Sequence, residues 1–493
     1  MRHRLVLRVL GNMILILCLG LLVTLGVALW QEGEWKETRA LIASVLITFV
    51  AGVLLRYVPR RGGEERFGNR EAFAVVTFGW ISLALLGALP FYLSGVTTTY
   101  TDAFFETMSG FTTTGATILI EIERVPKGIL FWRSLTHWFG GMGIVVLSVA
   151  VLPSLGAGGF QLFMAEMPGI KGEKLRPRIA ETAKLLWKVY LLLTFSQVAL
   201  LIFGDMPLFD SICHAFGTVA TGGFSTKNAS IGNESAYIQW VITAFMFLAG
   251  ISFVLHFKLM TGSFRSFFQD AEFRAYFAIC LVATAIIALM TLTGRGQDLG
   301  KVVRESAFTV VAISTTTGYT VTDFDVWPNL ARIMLLLLMV MGACAGSTGG
   351  GLKVIRIILL WKFAWRELKR LVRPRAVIAL RFGKHTVEES AMAGILGILV
   401  LYVFTFAIAS VIMATLMGGV GGHDLAGRET ETAVTSVIAT LGNIGPGLGG
   451  VGPAQNYSWV PDAGKWVLSL CMLLGRLEFY SVLILIVPLT WRR

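Results

Sequence analysis

Four short stretches of this chain carry residue types suited to one piece of chemistry, the coordination of a dehydrated cation by backbone oxygen. They are Thr113-Thr114-Gly115, Thr221-Gly222-Gly223, Thr316-Thr317-Gly318 and Asn443-Ile444-Gly445. Glycine accepts the unusual backbone angles that turn successive carbonyls to one side. Four such loops around one axis could replace the water shell of an ion. One Thr-x-Gly stretch carries little weight, because both residues are common in membrane helices. Four in one register carry much more. Asp102, Asp210, Glu305 and Thr432 each stand thirteen residues before the glycine of their loop. Each suits a helix N-terminus. Each segment therefore reads as two to three helical turns whose partly negative C-terminal end points at the loop.

The loops differ in detail. Gly115 is followed by Ala116, Gly223 by Phe224, Gly318 by Tyr319 and Gly445 by Pro446. The second loop has Gly222 where the first and third have threonine. The ring they would form is pseudo-fourfold, with fewer defined ion sites than four TVGYG loops provide.

Two other features call for chemistry. Gly342–Gly351 holds five glycines in ten residues, including Gly346, Gly349, Gly350 and Gly351, inside an apolar run. Each glycine costs a helix about 1 kcal/mol relative to alanine, so a stable helix is not expected there. Arg476 lies in another apolar run, where an arginine costs at least about 2.5 kcal/mol. It either faces a pore as a barrier to cations or pairs with Glu478. Lys353 and Arg356, near the cytoplasmic end of their span, either snorkel to the membrane surface or take part in function, and His214 is expected to be a packing residue.

The elements that must position these groups follow from composition. The chain has 493 residues, 55% of them hydrophobic and 15% charged, with mean hydropathy +0.72. Soluble domains carry about a quarter charged residues. Repeated apolar runs of about 20 residues define a multi-span helical membrane protein. The net charge of +12 fits basic cytoplasmic loops rather than nucleic-acid binding. Five cysteines are scattered singly, without a metal-ligand spacing, and read as buried thiols. The apolar run at the N-terminus reads as an uncleaved span.

In order, spans are expected at Leu10–Trp30 and Leu41–Tyr57, a hairpin without a filter-like loop. Four units of span, half-span and span follow. Their spans are Phe73–Ser94 and Gly128–Leu152, Ala183–Phe203 and Tyr237–Phe257, Phe273–Leu292 and Leu330–Phe363, and Ala391–Met417 and Gly464–Leu489. The organisation is then a hairpin and basic loop over 1–70, and pore repeats over 71–153, 154–260, 261–363 and 364–493. The basic loops, with Arg60, Arg61, Arg66, the 154–181 segment and the 354–385 segment, all fall on one side. The Thr/Asn-x-Gly loops all open on the other. The positive-inside rule then gives ten spans with both termini cytoplasmic.

These four loops, together with GSTGGGLKVIR at Gly346–Arg356 and GRLEFY at Gly475–Tyr480, resemble the TrkH-type subunits of the Trk/Ktr/HKT superfamily of potassium transporters. The resemblance covers the whole chain, including the N-terminal hairpin. It implies potassium uptake across the inner membrane and a homodimer with one pore per subunit. It implies a cytosolic TrkA-type nucleotide-binding ring as regulator, so that nucleotide sits on the partner and no cofactor on this chain. It also implies that Gly342–Gly351 blocks the pore below the filter and moves on activation.

Two rival readings are weaker. A secondary transporter with a midplane substrate site would show inverted repeats, whereas these four units run the same way. A membrane enzyme would need clustered His, Asp or Glu, and the six histidines form no ligand spacing.

Overall fold

A computed structural model describes residues 3–58, 68–150, 175–295, 298–376, 378–383, 385–418 and 427–491. Arg60, Arg61, Arg66, the 151–174 stretch and the C-terminal Arg492 and Arg493 lie outside the described residues. The architecture is all-α and polytopic, as expected. His3–Trp30 and Trp35–Arg56 form the N-terminal hairpin. Glu37, buried at the start of the second helix, accepts a hydrogen bond from the Ile129 N–H at 3.1 Å. A carboxylate there meets the positive end of helix Lys127–Ala150. That contact docks the hairpin on the first repeat.

Each repeat carries a short helix that enters from one side and stops part-way. These pore helices are Tyr100–Phe111, Leu208–Val219, Leu299–Ser314 and Glu429–Leu441. Their starts depart from expectation in two cases. The third begins six residues before Glu305, because Asp298 caps it and accepts from the Lys301 N–H at 3.2 Å. Glu305 sits in the body of that helix. In the fourth, Thr432 lies after the first turn, and its hydroxyl donates to Arg428 O at 2.8 Å rather than capping the end.

The return spans of the last three repeats are broken, which corrects the continuous helices expected in the second and fourth. Tyr237–Phe257 is two helices, Ala236–Ala249 and Phe253–Met260, bent by 99°. The break has a cause. Gly250 O accepts from the Cys344 N–H at 3.1 Å, and the Phe253 N–H donates to Gly346 O at 3.0 Å. The glycine-rich segment of the third repeat takes over backbone groups the helix would have used itself. In the third repeat the helix stops at Met341 and resumes as Val354–Val372, with the glycine segment between, as its composition predicts. In the fourth, Asp462–Arg476 ends at Leu477, and Glu478 and Phe479 take φ of 56° and 63°. Gly464–Leu489 is therefore not one span. Six described helices are long and apolar enough to cross a bilayer, or seven with the bent pair taken as one.

Candidate functional site

Each pore helix ends in the same backbone motif. The Thr114 N–H donates to Ser109 O at 2.9 Å and the Thr113 N–H to Gly110 O at 3.0 Å. The equivalent pairs are Gly222 to Gly217 at 2.7 Å, Thr317 to Ala312 at 2.8 Å and Ile444 to Ala439 at 2.8 Å. This is a Schellman end, in which the residue after the cap is left-handed and usually glycine. Here it is Thr113, Thr221, Thr316 and Asn443, with φ of 50°, 55°, 60° and 54°. A β-branched residue in that region is strained, and such strain concentrates at functional sites. Two residues later Gly115, Gly223, Gly318 and Gly445 have φ of 81°, 81°, 76° and 99°. Positive φ at alternate positions turns each strand away from ordinary extended geometry, four times over.

The four strands close a ring. A Cβ on Gly115 would strike Gly222 O, one on Gly223 would strike Thr317 O, and one on Gly318 would strike Ile444 O. One on Gly445 would meet Thr114 O at 2.7 Å. Each glycine thus abuts the carbonyl of the residue before the next glycine, in chain order, and the fourth returns to the first. Thr113, Thr114, Thr221, Gly222, Thr316, Thr317, Asn443 and Ile444 stand together with those glycines, as their spacing predicts. All four pore-helix C-termini end at the ring, so their partial negative charge favours a cation there. Above it lies a vestibule of about 330 Å³, lined by all four glycines.

Several supporting groups were not legible as such in the sequence. Tyr457 lies in a loop and donates through its hydroxyl to Gly445 O at 2.8 Å. Tyr319, the residue after its loop glycine, donates to His214 O and Phe224 O, both at 3.2 Å. It therefore straps the third loop to the second. His214 itself is buried and packed, as expected, bonding Asp210 O and the Ser225 hydroxyl. Arg133 and Glu106 form a buried ion pair at 2.6 Å, and Arg133 also donates to Ser225 O at 2.7 Å. The signal available for this pair was a charge inside an apolar run, which needs a partner.

Beneath the ring lies the irregular segment from Gly342 to Lys353. The Gly350 N–H donates to the Thr316 hydroxyl at 2.6 Å. The Thr348 hydroxyl donates to Val219 O at 3.0 Å. A Cβ on Gly349 would meet Thr315 O at 3.0 Å, and one on Gly350 would meet Asn443 Cβ at 3.0 Å. The segment therefore lies against the ends of three pore helices. Gly346 and Gly351 both take left-handed φ, 71° and 70°. Glu272 pins both ends of the segment, accepting from the Ala345 N–H at 2.8 Å and the Ile355 N–H at 3.2 Å.

Arg476 is brought to this segment. It is buried, and donates to Thr348 O at 2.7 Å and to Gly140 O at 3.2 Å. Its hydrogen bonds go to carbonyls rather than to Glu478, whose charge still acts on it. That carboxylate accepts from Arg356 at 2.6 Å. Lys353 and Arg356 do not snorkel, which removes the first of the two alternatives. Both are buried, and Lys353 Nζ donates to Gly349 O. The reason is that the broken helices leave carbonyls and a carboxylate at depth, and these cations satisfy them.

A ring of four strained pore loops inside broken spans defines a polytopic membrane transport protein rather than an enzyme. The chain belongs to the TrkH family of cation transport proteins, whose pattern matches residues 38–490. It is 41% identical over 499 residues to the Trk system potassium uptake protein TrkH of Salmonella typhimurium, with all of both chains covered. It is 32% identical over 493 residues to the Trk system potassium uptake protein TrkG of Escherichia coli K12, with 99% of each covered. Its backbone matches the crystal structure of the potassium transporter TrkH from Vibrio parahaemolyticus with TM-score 0.88 and 36% identity over the whole of both chains.

Proposed function

We propose that this chain takes up potassium across the cell inner membrane through the ring of Thr/Asn-x-Gly loops. The observation that carries the reading is closure of the ring, glycine against carbonyl, through all four repeats. Backbone carbonyls of Thr113, Thr114, Thr221, Gly222, Thr316, Thr317, Asn443 and Ile444 replace the ion's water. The names of the relatives, potassium uptake proteins of the Trk system, agree with that cargo.

Arg476 and the segment containing Gly346, Gly349, Gly350 and Gly351 form the gate. Its place against the pore-helix ends, and the bond from Arg476 to Thr348 O, support that role. Both termini are cytoplasmic, two copies pair, and a TrkA-type nucleotide-binding ring controls the gate from the basic side. Lys369, Arg373 and Arg375 are exposed on that side and are the residues for such a partner. Arg366 is not, because it is buried against Glu389 and Glu367.

The test is flux of potassium and sodium into liposomes holding the purified protein, wild type beside Gly318→Ser. A side chain at Gly318 would press on Ile444 O across the ring. Potassium preference in the wild type and its loss in the variant are expected. Equal preference in both would overturn the filter assignment.

A further inference from the structure

The second loop differs from the first and third at two positions, Ala220 and Gly222, and the structure gives a cause for the glycine. Gly222 stands where Thr114 and Thr317 stand in the first and third loops. Its backbone does not demand glycine, since it is absent from the left-handed region that holds Thr221 and Gly223. The obstacle is a side chain. A Cβ on Gly222 would collide with the imidazole of His137. His137 comes from the return span of the first repeat, helix Lys127–Ala150, and it is fully buried.

What the missing threonine would have done is visible in its counterparts. The Thr114 hydroxyl bonds the Thr112 hydroxyl at 2.8 Å, and the Thr317 hydroxyl bonds that of Thr315 at 2.8 Å. Thr112 and Thr315 then donate to carbonyls of their own pore helices, Met108 O at 2.6 Å and Val311 O at 2.7 Å. A hydroxyl pair thus tethers the strand to its helix. The second loop has Ala220 and Gly222 at these positions and can form no such pair.

His137 fills the space and supplies two bonds of its own. Its Nδ1 meets Gly110 O at 2.8 Å, and the Phe224 N–H donates to Nε2 at 3.2 Å. A carbonyl only accepts and an N–H only donates, so the ring proton is on Nδ1. The Phe224 ring stacks on the imidazole with centroids 4.0 Å apart. One side chain therefore joins the first pore helix to the strand leaving the second filter glycine.

We propose that His137 is a positioning residue for ion selectivity, replacing in trans the hydroxyl tether that the second loop lacks. This rests on reading the loops as a potassium filter. It goes further by assigning the second loop's rigidity to the neighbouring repeat.

The test is the potassium-over-sodium permeability ratio in liposomes for wild type, His137→Ala, His137→Gln and His137→Ala/Ala220→Thr/Gly222→Thr. Removing the imidazole leaves the buried Phe224 N–H unpaired and takes from Gly110 O one of its two donors, the Thr113 N–H remaining, and the ratio should fall by about tenfold. Threonines at 220 and 222, the latter in the space the ring vacates, rebuild the hydroxyl pair seen in the first and third loops and should restore most of it. Glutamine, which can donate to Gly110 O and accept from the Phe224 N–H, should stay closer to wild type than alanine does. A His137→Ala ratio equal to wild type would overturn the proposal while leaving the filter reading intact. So would a triple variant or a glutamine variant no better than alanine, including the case in which alanine alone fails to insert and glutamine inserts but does not discriminate. A wild-type protein without potassium preference would overturn the filter reading and this proposal together.

Discussion

The guanidinium of Arg476 donates to the backbone carbonyl of Thr348 at 2.7 Å. The Thr348 hydroxyl in turn holds Val219 O, the last residue of the second pore helix, at 3.0 Å. Fixed charge, glycine segment and the end of the second pore helix are therefore one connected unit. A positive charge about 5 Å from an ion, at an effective dielectric of about 20, repels it by about 3 kcal/mol. That corresponds to about a hundredfold in rate. Arg476→Ala should raise potassium flux about ten- to hundredfold with selectivity kept. Deleting Thr348 and Gly349 should also raise flux, and the two changes together should give less than their product. Liposome flux measures this, and a flux in Arg476→Ala at or below wild type would make Arg476 purely structural.

Thr316 belongs to the ring of loops through its backbone and holds the glycine segment through its hydroxyl, which accepts from the Gly350 N–H at 2.6 Å. Valine keeps the branched shape and removes the acceptor. A buried N–H left unpaired costs about 1–3 kcal/mol. Thr316→Val should therefore destabilise the resting segment and raise flux about fivefold or more, while Thr316→Ser stays near wild type. Equal flux in the two variants would separate this hydroxyl from gating.

Glu478 sits in a helix break and accepts from the buried Arg356 at 2.6 Å. Breaking a buried pair from one side leaves a charge uncompensated and costs about 3 kcal/mol or more. Glu478→Gln should lower the melting temperature of the detergent-purified protein. The double change with Arg356→Gln should cost less than the sum of the single changes. Additive losses would show that the two residues act separately.

Asp325, outside the spans, links the third and fourth repeats. It accepts from Arg428 at 2.6 and 2.7 Å and from the Gly449 N–H at 3.3 Å. Burial alone would raise its carboxyl, but the Arg428 hydrogen bonds, the Gly449 N–H and the nearby guanidinium charges hold it below its ordinary value. The folded value is the depressed one, so this stabilisation is complete above the unfolded value of about 3.9. It disappears as pH falls through the folded value. Melting temperature followed from pH 6 to pH 3 should drop more steeply in wild type than in Asp325→Asn. Parallel curves would refute this linkage.

Much of the site was legible because its chemistry is backbone chemistry. Only certain residues tolerate those angles, so Thr113, Gly115 and their counterparts stand out by spacing. The glycine segment was legible for the same reason. What stayed hidden was non-local. No spacing tells that Glu478 accepts its hydrogen bond from Arg356 rather than Arg476, or that Glu272 holds the ends of the glycine segment. Asp298 outcompeted Glu305 as a cap, although Glu305 kept the thirteen-residue register. The bend after Ala249 arises because another repeat supplies its hydrogen-bond partners, and an apolar run carries no trace of that. The glycine at 222 is explained only by a histidine from another helix.

The most direct test of the central claim is where a heavy analogue of potassium binds. Crystals grown in rubidium should show anomalous density on the ring axis, between the carbonyls of Thr114, Gly222, Thr317 and Ile444. The density should weaken when sodium replaces rubidium. Rubidium density confined to the vestibule or elsewhere, with none inside the ring, would contradict the assignment of these four loops as the filter.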